Sequence, residues 1–355
     1  MDKYLSSEPW WAGLSNVRMS LEIVLAISEI SNRKYVIPPA IYIDGICHWK
    51  DKTKYIKLFD IYEEDAFRSI FNCVDYTDVY DPHVVGGQTY YSNIHKVANI
   101  QIYDNNYKVL FPLKDGMHFV TINDINSITD LEDYKKFSNN RPFFDVDRKE
   151  KFIHFPRNLF GHFYYCVYAN KSKRNSIREK ILKGFKFKNA FYNDINGILK
   201  ELGAFNAIHI RRGDFQRTRP NMFKTLSQIP EFLDMNLENK KLPIYIATDE
   251  KDKSVFDDIK RLYKVYFLDD FIEKTSKLRA TIYDQLIPSY AEQFLGSGMS
   301  TYSDYINVNR VSLGKPVNTR LGSNYRKKEL IYKSFPWEAE SYGWDNLYSY
   351  YWEKE

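Results

Sequence analysis

A chain of 355 residues is longer than one hydrophobic core usually organises, so two domains are expected. Hydrophobic residues make up 44% and charged residues 27%, a balance that excludes a disordered or collagen-like chain, and the net charge of +5 suits an anionic small molecule as well as nucleic acid. Cys47, Cys73 and Cys166 are too few and too scattered for a disulfide framework or a zinc pattern, which points to a reducing compartment.

The opening MDKYLSSEPWWAGLSN holds no apolar core of signal-peptide length, and no uncharged run is long enough to span a bilayer. A cytoplasmic protein without an integral membrane segment is expected. Val17, Leu21, Val24, Ile27 and Ile30 recur at helical spacing and predict a helix from Asn16 to Ser31, entered through the turn Gly13-Leu14-Ser15-Asn16. Lys34 to Ile37 then reads as a strand stopped by Pro38-Pro39. From about Asp44 to Phe144 scattered aromatics and turn residues suggest strands and insertions on the first domain. Residues 170–188 are basic and helix-prone and are expected to lead into the second domain.

The second half alternates. Asn206 to Ile210 and Pro243 to Ala247 are strand-like, Lys253 to Tyr263 is helical, Lys264 to Leu268 is strand-like, and Arg279 to Gln293 is helical. Phe294-Leu295 then precedes the small-residue loop Gly296-Ser297-Gly298-Met299-Ser300-Thr301. Alternation of this kind predicts parallel sheets. The expected organisation is an N-terminal Rossmann-like domain over 1–170, a second over 171–330, and an aromatic tail over 331–355 packing back on the first.

The strands of the second half end in polar residues. Arg211, Arg212 and Asp214 follow the first, and Thr248, Asp249 and Glu250 follow the second. Charges at the exit of a buried strand face water or a ligand, and in open α/β sheets the carboxyl edge is where ligands bind. The Gly296 loop offers backbone N–H groups and hydroxyls to a phosphate, an arginine at the same edge supplies fixed positive charge, and nearby carboxylates accept donors from a base or a ribose. These are the parts of a nucleoside-diphosphate site. No Walker-type loop, H-E-x-x-H, D-x-D or spaced histidine cluster is present, which favours a site without metal or other cofactor. Arg211 with Asp214 is equally readable as a structural ion pair.

Four segments in order link the halves: GLSNVRMSLEIVLAISEISNRKYVIPP (13–39), AIHIRRGDF (207–215), YIATDE (245–250) and DQLIPSYAEQFLGSGMSTYSDYIN (284–307). Together they resemble the O-fucosyltransferase family, within the wider group of inverting GDP-fucose enzymes that includes α1,6-fucosyltransferases. The resemblance implies a GT-B-type α/β fold, two Rossmann-like domains facing across a donor/acceptor cleft, and metal-independent use of GDP-fucose. It implies that His209 and Asp284 recognise guanine, and that Arg211 holds the β-phosphate and stabilises charge as it develops there. Ser300, Thr301 and Tyr302 match the turn around the diphosphate, and Gly13, Leu14, Ser15 and Asn16 match the first-domain loop that closes over donor and acceptor. Arg212, Asp214 and Asp249 match positions with structural or ribose-binding roles, and Asp214 is carried as a catalytic candidate beside Arg211.

One departure stands out. Some relatives carry a glutamate just before the loop glycine, where this chain has Ala12; the α1,6 enzymes carry one ten residues after the signature histidine, where it has Arg219. Glu8, Asp44, His48 and Asp214 remain as candidate bases. The expected partners are GDP-fucose and a glycan, lipid-linked saccharide or protein acceptor, and not nucleic acid. Transfer of another GDP-activated sugar, an NAD-dependent oxidoreductase built on the Gly296 loop, and an inactive carbohydrate-binding relative stay open as alternatives.

Overall fold

The structure, a computed structural model, describes residues 2–7, 12–38, 41–47, 56–79, 83–85, 88–90, 100–102, 117–121, 143–144, 152–155, 164–168, 171–213, 226–297, 300–316 and 320–321. Two compact units meet in sequence at Lys188 and Asn189. Residues 171–188, assigned to the second domain from sequence, group with the first unit. The reason is helix α3 (Lys171–Gly184), whose Ile177 and Ile181, continued by Phe185, form an apolar stripe buried in the first unit, while Lys180 pairs with Glu29. The aromatic tail, Asp214, Arg219, Glu8 and His48 lie outside the described residues.

The first unit is built on a parallel sheet of β1 (Tyr4–Ser7), β2 (Lys34–Ile37), β3 (Cys73–Asp75), β4 (Ile100–Ile102) and β5 (Phe152–Phe155), in the order β3-β2-β1-β5-β4. Helix α1 (Leu14–Ile30) crosses from β1 to β2 and buries Val17, Leu21 and Val24. It stops where Asn32 takes a positive φ of 49°, with Arg33 N–H returning to Ser28 C=O at 2.9 Å, a closure that asparagine tolerates at a helix end. Inside this unit Arg18 and Glu22 form a buried 2.6 Å pair, with the guanidinium over the rings of Tyr62, Phe185 and Phe187. Helix α2 (Glu64–Ile70) adds Phe67 to the same aromatic cluster. Antiparallel strands Met117–Thr121, Phe143–Phe144 and Tyr164–Tyr168 and the hairpin His83–Val85/Gln88–Tyr90 accompany it.

The second unit opens with α4 (Asn189–Leu202), followed by β6 (Asn206–Ile210), α5 (Ile229–Asn236), β7 (Ile244–Thr248), β8 (Val265–Tyr266), α6 (Lys277–Tyr290), β9 (Phe294–Ser297), α7 (Thr301–Ser312) and β10 (Arg320–Leu321). Its strands are parallel in the order β8-β7-β6-β9-β10. The chain thus builds outward from β6 in one direction, then returns to build in the other, leaving a topological switch point between β6 and β9. The helix expected over 253–263 is instead a 3-10 turn, Lys253–Phe256, and one short turn of α-helix, Asp257–Lys260.

Side chains alternate across this sheet, and the two faces differ. Ile208, Ile210, Ile244, Ile246 and Leu295 pack with Ile229, Phe232 and Leu233 of α5. The opposite face carries the small residues Ala207, Ala247 and Gly296, together with His209 and Tyr245, which bond side chains of α7 and α6. A Cβ at Gly296 would lie 2.7 Å from Ser303 Cβ. Glycine there lets α7 settle directly onto the sheet.

Candidate active site

At the switch point the carboxyl ends of β6 and β9 are stitched by one hydroxyl. Ser297 Oγ donates to His209 C=O at 2.8 Å and accepts from Arg211 N–H at 2.8 Å. On the other side of β6, Thr248 Oγ1 donates to Ile210 C=O at 2.8 Å. The turn that follows is shaped by Asp249, whose Oδ1 accepts from the N–H groups of Arg212 (2.7 Å) and Gly213 (3.2 Å). A Cβ at Gly213 would stand 2.5 Å from Asp249 Oδ2, so the turn and the carboxylate fit together only with glycine.

The two adjacent arginines have different fates. Arg212 Nε is bound to Glu250 at 2.7 Å, and that hydrogen bond is the main reason the Glu250 carboxyl sits below its usual range. Arg211 is held on one side by Asp249 Oδ2 at 3.0 Å and keeps 37% of its side chain exposed at the sheet edge. Asp249, expected in a structural or ribose-binding role, has its oxygens on the Arg211 guanidinium and on the N–H groups of the turn.

His209 is buried on β6, with Nδ1 2.7 Å from Ser303 Oγ and its ring 4.8 Å from that of Tyr302. Burial, with Arg211 nearby, lowers its pKa to about 3, so the imidazole is neutral at physiological pH. A neutral ring fixed at Nδ1 presents Nε2 as a single directional partner for a ligand. The Tyr302 hydroxyl donates to Thr281 C=O on α6, so Tyr302 is a strut between α7 and α6 with its ring against His209.

Beside the histidine, β9 passes through the small-residue loop into α7. Ser300 is the N-cap of α7, is buried, and makes no side-chain cap bond; Thr301 opens the helix. The first-turn N–H groups of such a helix, with the partial positive charge of its dipole, suit an anion. Asp284 completes the cluster from α6. Tyr245 Oη donates to its Oδ1 at 2.6 Å. Burial is the largest influence on this carboxyl and raises its pKa to about 7, against the opposing effects of Tyr245 and Lys253.

His209, Arg211, Asp249, Asp284, Ser300, Thr301 and Tyr302 are thus gathered at one edge of the second sheet. Gly13, Leu14, Ser15 and Asn16 belong to the first unit, where they enter α1: Gly13 C=O accepts from Val17 N–H at 3.1 Å, and Leu14 and Ser15 are buried. Ala12 is bridged to Ile43, and Asp44 N–H donates to Ala12 C=O at 2.8 Å, leaving the Asp44 side chain exposed. Among the described residues no three His, Cys, Asp or Glu side chains gather as a metal site would require.

The sequence alone gives no individual role to Tyr245, Ser297, Ser303 or Arg310. The first three stand inside quoted segments, yet only the packing of strands and helices gives them their partners. Arg310 is fully buried and donates to the carbonyls of Pro288, Ser289, Ala291 and Glu292 at the end of α6, and to Pro316. Ser303, Asn307 and Arg310 form a polar stripe on the buried side of α7, the one signal that could have marked them.

A family model described as GDP-fucose protein O-fucosyltransferase matches residues 4–313. A curated relative, GDP-fucose protein O-fucosyltransferase 2 of Caenorhabditis elegans, is 33% identical over 124 residues, a stretch covering 33% of this chain and 28% of that relative. Among solved structures, POFUT1 in complex with GDP superposes with a TM-score of 0.53 at 12% identity, covering 90% of this chain and 98% of that one. POFUT1 in complex with GDP-fucose gives 0.50 at 12% identity, covering 92% and 98%. At such identity the likeness is one of fold, GT-B-type with parallel α/β units.

Proposed function

The chain belongs to the GDP-fucose protein O-fucosyltransferase family, and from that premise we propose that it is an inverting, metal-independent fucosyltransferase moving fucose from GDP-fucose to a hydroxyl acceptor. The observation that carries the reading is Arg211, held by Asp249 at a switch-point edge next to the open N-cap of α7. As the bond from fucose to the β-phosphate breaks, negative charge grows on the departing diphosphate. In this reading Arg211 and the first-turn N–H groups of α7 stabilise that charge, and preorganised stabilisation of this kind is usually the largest catalytic contribution. The sugar becomes oxocarbenium-like, the acceptor hydroxyl attacks from the opposite face and releases its proton to solvent water as the C–O bond forms, and the anomeric configuration inverts.

Guanine falls to Asp284 and His209. A carboxylate suits the N1–H and 2-amino donors of guanine, while the neutral imidazole supplies one further directional contact. Neither family base position holds a carboxylate, since Ala12 and Arg219 stand there, so the proposal places the burden of catalysis on the leaving group. The acceptor class is a glycan, lipid-linked saccharide or protein. A reducing, cytoplasmic setting is part of the proposal, supported by Cys47 and Cys73 as free thiols.

Calorimetric titration with GDP, GDP-fucose, GDP-mannose, UDP and NAD in the presence of chelator tests the reading. Binding of GDP and GDP-fucose with UDP and NAD silent is expected. Binding of NAD without GDP would overturn it, and equal use of GDP-mannose would move the donor to another GDP-activated sugar.

A further inference from the structure

The Asp284 carboxyl is enclosed by groups from several elements of the second unit. Tyr245 on β7 donates to Oδ1 at 2.6 Å. Tyr302 on α7, Lys253 at the exit of β7 and Asp269 on the 3-10 turn Leu268–Asp270 act on it through space. Tyr245 is fully buried, with its ring 6.5 Å from that of Phe205. Its phenol has been pushed well above the ordinary tyrosine range, chiefly by burial, so it remains a proton donor across the physiological range. Burial opposes the charge on Asp284, and Tyr245 is the first of the influences that favour it.

We propose that Tyr245 is a positioning residue for donor-base recognition: its phenol donates to Oδ1 of Asp284 and fixes the side chain, so that the carboxylate meets the donor edge of a purine bearing N–H groups. This deepens the donor-site reading above and rests on it. A carboxylate has about four lone-pair positions, of which the phenol occupies one, so the others can accept from the base. Protonated Asp284 would instead turn an O–H toward those base donors and repel them. Ligand binding then requires the ionised form, and apparent affinity for a guanine nucleotide rises with pH through the region near 7 and levels off above it. A tyrosine acting only as core filling would leave that profile in place.

GDP affinity measured by calorimetry from pH 5.5 to 9, on the full chain and on Tyr245→Phe and Asp284→Asn, tests this. The Asn variant supplies the baseline, since it retains only the pH dependence of the diphosphate itself. Relative to that baseline, wild-type affinity falls about tenfold per pH unit below about 7. In Tyr245→Phe the midpoint moves up by about one pH unit, the equivalent of one charge-assisted hydrogen bond, and affinity recovers at the alkaline end. Three results would overturn the inference while leaving the donor reading intact. They are a Phe variant weakened by the same factor at every pH, a Phe profile identical to wild type, and a wild-type profile no steeper than the Asn baseline. The last decides the matter even if the Phe variant does not fold. Failure of the wild-type chain to bind GDP at any pH would remove both readings.

Discussion

Asp284→Asn is predicted to make the unliganded protein more stable and to weaken, without abolishing, its hold on the donor. The carboxyl titrates near 7 in the folded chain against an ordinary value of 3.8. Below about 4 it is protonated in both folded and unfolded states and contributes no difference. Between about 4 and 7 the folded state keeps a proton that the unfolded state has released, so stability from this group falls as pH rises. Above 7 the whole penalty is present. Roughly three pKa units correspond to about 4 kcal/mol as an upper bound, and the partial exposure of Asp284 reduces this to about 1–3 kcal/mol. Asparagine retains an oxygen acceptor for Tyr245 without the charge. His209 acts in the opposite sense: with its pKa lowered to about 3, it makes stability rise with pH between about 3 and 6.5, so the two largely cancel in the wild type. Thermal unfolding at pH 4 and pH 8, with and without GDP, reads the effect. The Asn variant should melt higher than wild type at pH 8, equal to it at pH 4, and gain less from GDP than wild type does at pH 8. Equal destabilisation at both pH values would show that Asp284 is a structural anchor, and full protection by GDP would refute its place in base recognition.

Other sites carry distinct expectations. Gly213→Ala sets a Cβ against Asp249 Oδ2, at 2.5 Å if nothing moves, and must loosen the Asp249–Arg211 pair; turnover should drop about 10–100-fold with GDP affinity less affected, and steady-state kinetics would show it. Ser297→Ala removes the stitch between β6 and β9, with an expected loss of about 1–3 kcal/mol in urea unfolding. Arg310→Met uncaps α6 and should lower stability by about 3–5 kcal/mol, and Arg310→Lys should rescue it poorly, because one ammonium cannot reach the carbonyls that the guanidinium spans.

Much of the second unit was legible in the sequence because its strands are continuous apolar runs with polar exits. Lys34–Ile37 and Asn206–Ile210 were predicted to the residue, and β7 was misplaced by one. The predicted helix 279–293 begins earlier, at Lys277, because Ser276 caps it, and ends at Tyr290, where Arg310 takes up its last carbonyls. The first strand, YLSS, carries two serines and gave no apolar signal; its burial comes from its neighbours β2 and β5. Helix α4 was hidden behind the basic run before it, although Phe191, Ile195, Ile198 and Leu202 carry helical spacing. At the site, Arg211 and Asp249 are readable from strand ends, while His209 and Asp284 stand out only through the family resemblance. The residues that aim them, Ser297, Ser303 and Tyr245, were not legible, since their roles depend on which strands and helices become neighbours.

The most direct test of the central claim is the rate of GDP release from GDP-fucose by wild-type protein and by Arg211→Ala, in chelator, with GDP affinity measured alongside. Loss of about 10²–10³-fold or more in the rate, with folding intact, is the predicted result. Undiminished turnover in the variant would contradict it, because no other step in the account replaces the charge that Arg211 sets against the departing diphosphate.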